Sequence, residues 1–303
     1  MITHPEKVLF PADGITKGEL AAYYALVAPV MLPHLRRRPV TMERFPGGIE
    51  AKGFIQKDVS RGVPAWLERA LVPKHGGTVH HPLVDDARAL AWMANQNCIT
   101  PHVWNRRADD LEHPDLCVFD LDPPAEAPGA PRRGAGPYHH SWDPPGDGGD
   151  AAPVRAAALA LRDLLAERGL PSWVKTSGSK GYHLAVPLDG TAGVAEVARF
   201  AHEVGRELVR RHPDTLTQEF AKADRGGRIY VDTGRNDHSA TFAAVYAVRA
   251  RPGAPVSAPC TWDEVASGAA RPRTFTLRTM AARLDAVGDL WADLLAAGVA
   301  LPR

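Results

Sequence analysis

Cysteine is scarce: Cys98, Cys117 and Cys260 are the only three in 303 residues, they lie far apart, and no two form a Cys-x-x-Cys pair. That pattern excludes a disulfide framework and a structural zinc site of ordinary spacing, and it fits a reducing compartment. Long apolar runs are lacking too. No stretch approaches the roughly 18 apolar residues a spanning helix needs, and the opening MITHPEKVLFPADG has no charged-then-apolar signal pattern. A soluble, cytoplasmic protein with no membrane partner is expected. Charge of one sign is also missing, since Lys and Arg number 36 against 35 Asp and Glu for a net charge of +1. This balance neither demands nor excludes an anionic partner, so local clusters must carry the functional argument.

Apolar residues make up 45% of the chain and charged residues 23%, enough for one large domain or two small ones. The segment TKGELAAYYALVAPVML opens with Thr16 and Glu19 in capping-box spacing, which predicts an amphipathic helix closed by Pro33. Strands are expected at PVTMERF, at KGFIQKDV and into CVFDLD, with a helix around Asp85 to Asn95. Beyond a Pro/Gly-rich stretch, VRAAALALRDLLAERG reads as a helix capped by Gly169, followed by a strand at PSWVK, a helix over Val194 to Arg211, a strand at FAAVYAVRAR and a helical C-terminal part from RTFTLRTM onward. The Pro/Gly-rich stretch, about 123–153, cannot easily bury apolar surface and could mimic a linker. The carboxylate strand before it and PSWVK after it suit one βαβ-like unit, so it is read as an insertion within a single domain spanning 1–303.

The run LCVFDLDPP carries the chemistry. Side chains alternate faces along a strand, so Asp120 and Asp122 share one face, with Leu121 on the other. Pro123 and Pro124 cannot donate to a sheet ladder, which leaves both carboxylates at the strand's C-terminal mouth. Taken alone, the pair is better explained as holding turn amides. Asp232 changes the balance, because RIYVDTG delivers a third acidic residue at the end of another apolar run. Three carboxylates from two strands form a hard-oxygen set suited to Mg²⁺ or Mn²⁺, as used in pairs for phosphoryl or nucleotidyl transfer.

Between WVK and HLAVPL lies KTSGSKGYHL, where Gly178 and Gly181 admit an anion close to the backbone, Ser177 and Ser179 supply hydroxyls, and Lys180 supplies a charge. It is a candidate phosphate cradle without the P-loop pattern, and an ordinary glycine-rich hairpin turn explains it too. His183 is by default a hydrogen-bonded core histidine, although alternation with Leu184 turns it toward the same cleft. Arg225, Arg228, Arg235 and Arg249 are surface charges singly, and jointly could converge on a triphosphate. Lys7, Lys17 and Arg36 to Arg38, with Phe54 and Trp66, fit nucleic-acid backbone contact plus base stacking, or equally a charged helix face over core aromatics. His80-His81 and His139-His140 lack a metal-ligand partner and read as surface residues.

Together, VLFP, VFDLDP, TSGSKGYHLAVPL, RIYVDTGRN and YAVRARPGAPVSAPCTWDEV resemble, in order, the polymerase domain of bacterial ATP-dependent DNA ligase D, in the archaeo-eukaryotic primase superfamily. The resemblance implies a primase-like α/β (α+β) fold, with a mixed, mainly antiparallel sheet packed by helices and an N-terminal α/β module. It implies a two-metal nucleotidyltransferase extending primers and filling gaps with nucleoside triphosphates, preferably ribonucleotides, in end joining or related repair. Asp120, Asp122 and Asp232 match the family's metal ligands; Ser177, Lys180, His183, Arg249 and Arg225 match its nucleotide-site residues, and His102 matches a further active-site position. Lys7 and Lys17 match the pair that grips a 5′-phosphate at a gap or recessed DNA end, Phe54 an aromatic stacking on template DNA, and Arg44 a place near the DNA path. The implied partners are such DNA ends, NTPs or dNTPs, Ku and a separate DNA ligase, with the chain a monomer.

Departures are visible. Ile55 stands where many relatives carry a second phenylalanine, TGRN replaces a WSQN-like segment so that Arg235 adds a charge where a neutral side chain is usual, and the 123–153 insertion is longer than expected. No ligase or nuclease segment is recognised, so the chain reads as a stand-alone polymerase or as one part of a larger assembly. The rival readings are a metal-dependent phosphodiesterase or nuclease, which has little need of a triphosphate cradle, and a catalytically silent DNA-end-binding module.

Overall fold

The computed structural model describes residues 2–124 and 151–302. The N-terminal module begins with the short pair β1 (Val8–Phe10) and β2 (Ile15–Thr16), followed by helix α1 (Lys17–Leu35). Thr16 caps α1 by the expected reciprocal bonds: its hydroxyl accepts from Glu19 N, and the Glu19 carboxylate accepts from Thr16 N. Pro33 does not close the helix. Pro29 and Pro33 both lie inside it, and α1 ends at Leu35, where Arg36 N still donates to Leu32 O. Helix propensity is overridden here by packing, because Leu20, Val27, Met31 and Leu35 are all buried in one apolar cluster.

Strands β3 (Val40–Arg44) and β4 (Phe54–Gln56) follow, then the hairpin β5 (Arg69–Lys74) and β6 (Gly77–Pro82), helix α2 (Ala87–Asn95) and strand β7 (Cys98–Val103). The second half carries β8 (Leu116–Asp122), α3 (Ala152–Glu167), β9 (Trp173–Thr176), β10 (Tyr182–Pro187) and α4 (Val194–Arg211). After these come β11 (Leu216–Thr217), β12 (Ile229–Asp232), β13 (Phe242–Ala243), β14 (Pro259–Cys260), α5 (Trp262–Ser267) and α6 (Met280–Val287). The insertion read at 123–153 lies almost wholly outside the described residues, as do His139 and His140.

Two sheets dominate. One has six strands in the order β11-β12-β8-β10-β9-β14, antiparallel throughout except for the parallel β11–β12 pair. The other has four antiparallel strands in the order β13-β7-β3-β4. Because β10 is antiparallel to both β8 and β9, those two run parallel with β10 between them, so α3 makes a split βαβ crossover. Gly169, at φ +72, ends α3 as expected, its N–H donating to Ala166 O.

The pleat of β8 divides two cores. Cys117, Phe119 and Leu121 join the cluster under α3 and α4, whereas Leu116 and Val118 join the cluster built on α1, α2 and the four-stranded sheet. Asp120 and Asp122 continue this second face, so the aspartates open between the two sheets rather than beneath α3 and α4.

Other expectations change on folding. FAAVYAVRAR is a strand only at Phe242–Ala243, because Tyr246 takes a left-handed φ of +62 and turns the chain, and its N–H then reaches Ser257 O. The C-terminal part becomes helical only from Met280, after a run of turns. His81 is not a surface residue: it is buried edge-on against Trp104, with Nδ1 3.1 Å from Val40 O. In the basic run, Arg38 is completely buried and ion-paired to Asp115, while Arg37 pairs with Asp109, Glu68 and Asp85; both follow the end of α1, so they form internal ion pairs and not the charged helix face expected.

Gly181 is where β10 closes most tightly on β8. A Cβ at this position would lie 1.7 Å from Leu121 O, and the obstacle is backbone. Gly181→Ala is therefore expected to lose on the order of 1–3 kcal/mol or more of stability. A thermal melt unchanged from the parent would show that β8 and β10 can separate at no cost.

Candidate active site

Strand register builds the site. In the ladder, β10 places His183 opposite Asp120 on one side, and β12 places Asp232 opposite Asp120 on the other. With Asp122 two residues further along the same face, carboxylate oxygens of Asp120, Asp122 and Asp232 all lie within 4.8 Å of one another. Asn236 fixes this register. Its amide accepts from Val118 N at 2.8 Å and donates to Val118 O at 2.7 Å, continuing the β12–β8 ladder through a side chain after the strand has ended. Gly234 N donates to Asp232 Oδ1 at 2.9 Å, which orients the third carboxylate.

Burying Asp120 and Asp232 with Asp122 half-buried beside them demands compensation. Burial works to raise the Asp120 carboxyl, but His183, Arg235 and Arg249 together hold it well below the usual range. Burial and the Asp120 charge push Asp122 well above it, and burial also raises Asp232 despite Arg235. The cluster thus lacks positive charge chiefly at Asp122. Its all-oxygen donor set fits a hard divalent cation and does not fit the sulfur- and nitrogen-rich sites of zinc.

Beside it lies a buried relay that the sequence did not disclose. His183 Nε2 is 3.3 Å from Asp120 Oδ1, and its Nδ1 is 2.8 Å from Nζ of the fully buried Lys175. Lys175 Nζ also meets Ala243 O at 3.0 Å and Ser257 Oγ, whose own proton goes to Thr176 O. With Lys175 as an ammonium donating three times, His183 carries its proton on Nε2, toward the carboxylate, while burial and the Arg249 charge hold the Lys175 pKa well below the usual lysine range. Burial and the Lys175 charge push the imidazole down to about 4, so it is neutral at physiological pH. Lys175 faces His183 directly in the β9–β10 ladder, so counting outward from the glycine turn would have found it.

The candidate cradle, residues 177–181, is the β9–β10 hairpin loop. Ser177 Oγ accepts from Ser179 N and Gly181 N, each at 3.1 Å, so its acceptor side shapes the loop and its own proton remains as a donor. Two arginines hold the loop from outside: Arg249 Nη1 donates to Ser177 O and Arg273 Nε to Ser179 O, both at 2.8 Å. Gly178, at φ +64, admits the Arg249 stem where a Cβ would lie 2.6 Å from its Cγ. Arg249 Nε is buried without an acceptor among the described residues. Lys180 sits half-buried in the same loop.

Of the four arginines, Arg235 and Arg249 reach the aspartates' surroundings. Arg225 stacks on Tyr230 at 3.9 Å and donates to Glu219 O and Phe220 O, while Arg228 is tied to Arg225 O, Pro213 O and Asp224 O. His102, on β7, pairs with the buried Glu43 at 3.2 Å, and the charges of Arg249 and Arg235 add to burial in lowering its pKa.

Lys7, Lys17, Arg44 and Phe54 form a separate group. Lys17 Nζ lies 3.2 Å from Asn95 O, and burial together with the nearby Lys7 charge lowers its pKa. The next residue, Gln96, receives Arg44 through its backbone carbonyl at 2.7 Å, and the Arg44 guanidinium stands 5.2 Å from the ring of the exposed Phe54. Trp66 is covered by Arg88 at 3.9 Å, which removes that face as a platform for a base.

A sequence model of the LigD primase-polymerase domain matches residues 16–133 and 142–291. The chain is similar to the multifunctional non-homologous end joining protein LigD of Mycolicibacterium smegmatis, 34% identical over 97% of this chain and 36% of that protein. It is also similar to LigD of Pseudomonas aeruginosa, 36% identical over 96% of this chain and 32% of that protein. It therefore spans about a third of the length of these curated relatives. Among solved structures, the polymerase domain of Mycobacterium tuberculosis Ligase D in complex with DNA superimposes with a TM-score of 0.84 at 33% identity, covering 98% of each chain.

Replacing Lys175 by Met should free His183 Nδ1 and strand the acceptors at Ser257 and Ala243, at a cost of about 1–3 kcal/mol. Ring ¹⁵N spectra of His183 should then show it taking up a second proton at a higher pH than in the parent, because the cation that lowers its pKa is gone while Asp120 still accepts from Nε2. An unchanged titration would mean that Lys175 does not hold the imidazole neutral.

Proposed function

The chain belongs to the LigD primase-polymerase family, and from that premise we propose that it is a metal-dependent nucleotidyltransferase that extends primers and fills gaps at DNA ends during end joining or related repair. The observation that carries this reading is the meeting of Asp120, Asp122 and Asp232 within 4.8 Å beside the 177–181 loop. Two Mg²⁺ or Mn²⁺ ions held by these carboxylates would supply Lewis acidity at a primer 3′-hydroxyl and at the α-phosphate of the incoming nucleotide.

The remaining work belongs to the chain itself. Asp120 is kept ionised and oriented by the neutral imidazole of His183, which Lys175 holds in one tautomer. Ser177, Lys180 and Arg249 suit the triphosphate: a hydroxyl proton, an ammonium and a guanidinium with a donor in reserve surround one glycine-rich turn. A nuclease would use the same acids, but it has no need of that turn. His102 and Arg225 stand at the margins of the same cleft and are assigned to the nucleotide more loosely.

DNA is the second substrate in this reading. Lys7 and Lys17 would hold a 5′-phosphate, since burial and, after it, the neighbouring Lys7 charge disfavour the Lys17 ammonium until an anion arrives. Phe54 and Arg44 would meet template bases and backbone. We further propose that the chain acts as one catalytic unit, in the cytoplasm, with Ku and a DNA ligase supplying end capture and sealing.

A gapped, 5′-phosphorylated duplex incubated with each NTP and dNTP and with Mn²⁺ or Mg²⁺ should yield products longer by one or a few nucleotides, lost on chelation and restored by metal. Asp120→Ala should lower incorporation at least about 10³-fold, the equivalent of several kcal/mol at the transition state. Extension that survives this substitution would sink the mechanism. Separately, Lys17→Ala should reduce the preference for 5′-phosphate over 5′-hydroxyl ends, and an equal loss on both ends would remove the assigned phosphate contact.

A further inference from the structure

The carboxylate cluster already holds a cation that belongs to the chain. Arg235 Nη2 lies 2.7 Å from Asp232 Oδ2, and its Nε, buried without a hydrogen-bond acceptor among the described residues, lies at ion-pair distance, 3.3 Å, from Asp120 Oδ2, so one guanidinium stands between the two aspartates that face each other across the β8–β12 ladder. Its third contact, Nη1 to Thr241 O at 3.3 Å, is a long hydrogen bond. The backbone beneath it cannot follow the side chain, because the neighbouring Asn236 is completely buried and bonded to both polar groups of Val118. Any movement must therefore come from the aliphatic stem. A guanidinium and a divalent ion seek the same carboxylate oxygens, and Asp120 and Asp232 cannot serve both at these distances.

We propose that Arg235 is a tethered counter-ion that competes with the divalent metal for Asp120 and Asp232, so that loading the site requires its guanidinium to swing off these two carboxylates. This inference rests on the metal-cluster reading above. In the metal-free protein Arg235 offsets the repulsion of the buried acids and keeps the β8–β12 mouth formed. That same contact weakens metal binding, and it does so before any nucleotide is present.

The test uses nucleotide-free protein and Mn²⁺ alone, with the free ion counted by its electron paramagnetic resonance signal. Arg235→Gln should bind Mn²⁺ at least about tenfold more tightly than the parent, about 1.4 kcal/mol. Arg235→Lys, whose single ammonium cannot span both aspartates, should fall between them. Metal-free Arg235→Gln should melt below the parent and gain more from added Mn²⁺. Equal or weaker Mn²⁺ binding by Arg235→Gln, with binding by the parent intact, overturns the competition and leaves the metal site standing. Failure of both folded proteins to bind Mn²⁺ overturns the metal-cluster reading itself. A wild-type measurement needs no substitution: the Arg235 Nε–H resonance should shift on titration with Mg²⁺, and a resonance unmoved at saturating Mg²⁺ contradicts displacement.

Discussion

A slip of one residue between β12 and β8 would turn Asp232 from the open face of the sheet into the apolar layer beneath α3 and α4. Everything assigned to this site depends on that register being single-valued. Two features enforce it: Ile229 and Val231 bury on the helix side, and Asn236 satisfies both polar groups of Val118 just beyond the strand end. On the opposite side of β8, Gly181 brings the chain entering β10 to Leu121 at a distance no side chain would tolerate. The two neighbours of β8 are thus locked by different means, one by a side-chain amide and the other by the absence of a side chain. Both locks lie close to the carboxylates they position.

Electrostatics set the second constraint. Three carboxylates at close range in a half-dry cleft would repel one another and favour protonation, which the rise at Asp122 expresses. The chain answers with partial compensation only. His183 reaches Asp120 as a neutral donor, Lys175 lends its charge from one layer behind, and Arg235 covers Asp120 and Asp232 from the front. Complete compensation by fixed cations would leave no electrostatic reason for a metal ion to enter, whereas none would melt the mouth of the sheet. A neutral imidazole in one tautomer suits this balance, since it orients Asp120 without cancelling its charge.

Much of this was legible in the sequence, for identifiable reasons. Asp120 and Asp122 announced themselves because alternation is strict in a strand and two prolines mark where it must stop, and the apolar run before Asp232 gave the same signal again. His183 was placed by its alternation with Leu184. Lys175 is not legible, because a lysine in a strand reads as solvent-facing unless its ladder partner is known, and burial of a charge is decided by tertiary neighbours. The burial of Arg38 and His81 escapes sequence for the same reason. Pro33 looked like a stop because local propensity disfavours it, yet packing of α1 carried the helix past it. The apparent strand after Phe242 is broken by Tyr246 in a left-handed conformation, which hydrophobicity does not encode.

The four-stranded sheet links the two groups of candidate residues. Strand β3 carries Glu43, which holds His102 at the cleft, and its next residue, Arg44, stands beside Phe54 and reaches Gln96. Gln96 follows Asn95, the residue that receives Lys17. From the His102–Glu43 pair to Lys17, each step is a strand neighbour or a hydrogen bond to the backbone at α2's C-terminal end. Rigid elements hold geometry more tightly than loops do. A phosphate gripped at Lys7 and Lys17 would therefore stand at a fixed distance from the three aspartates, and that distance would measure the gap on which the chemistry acts.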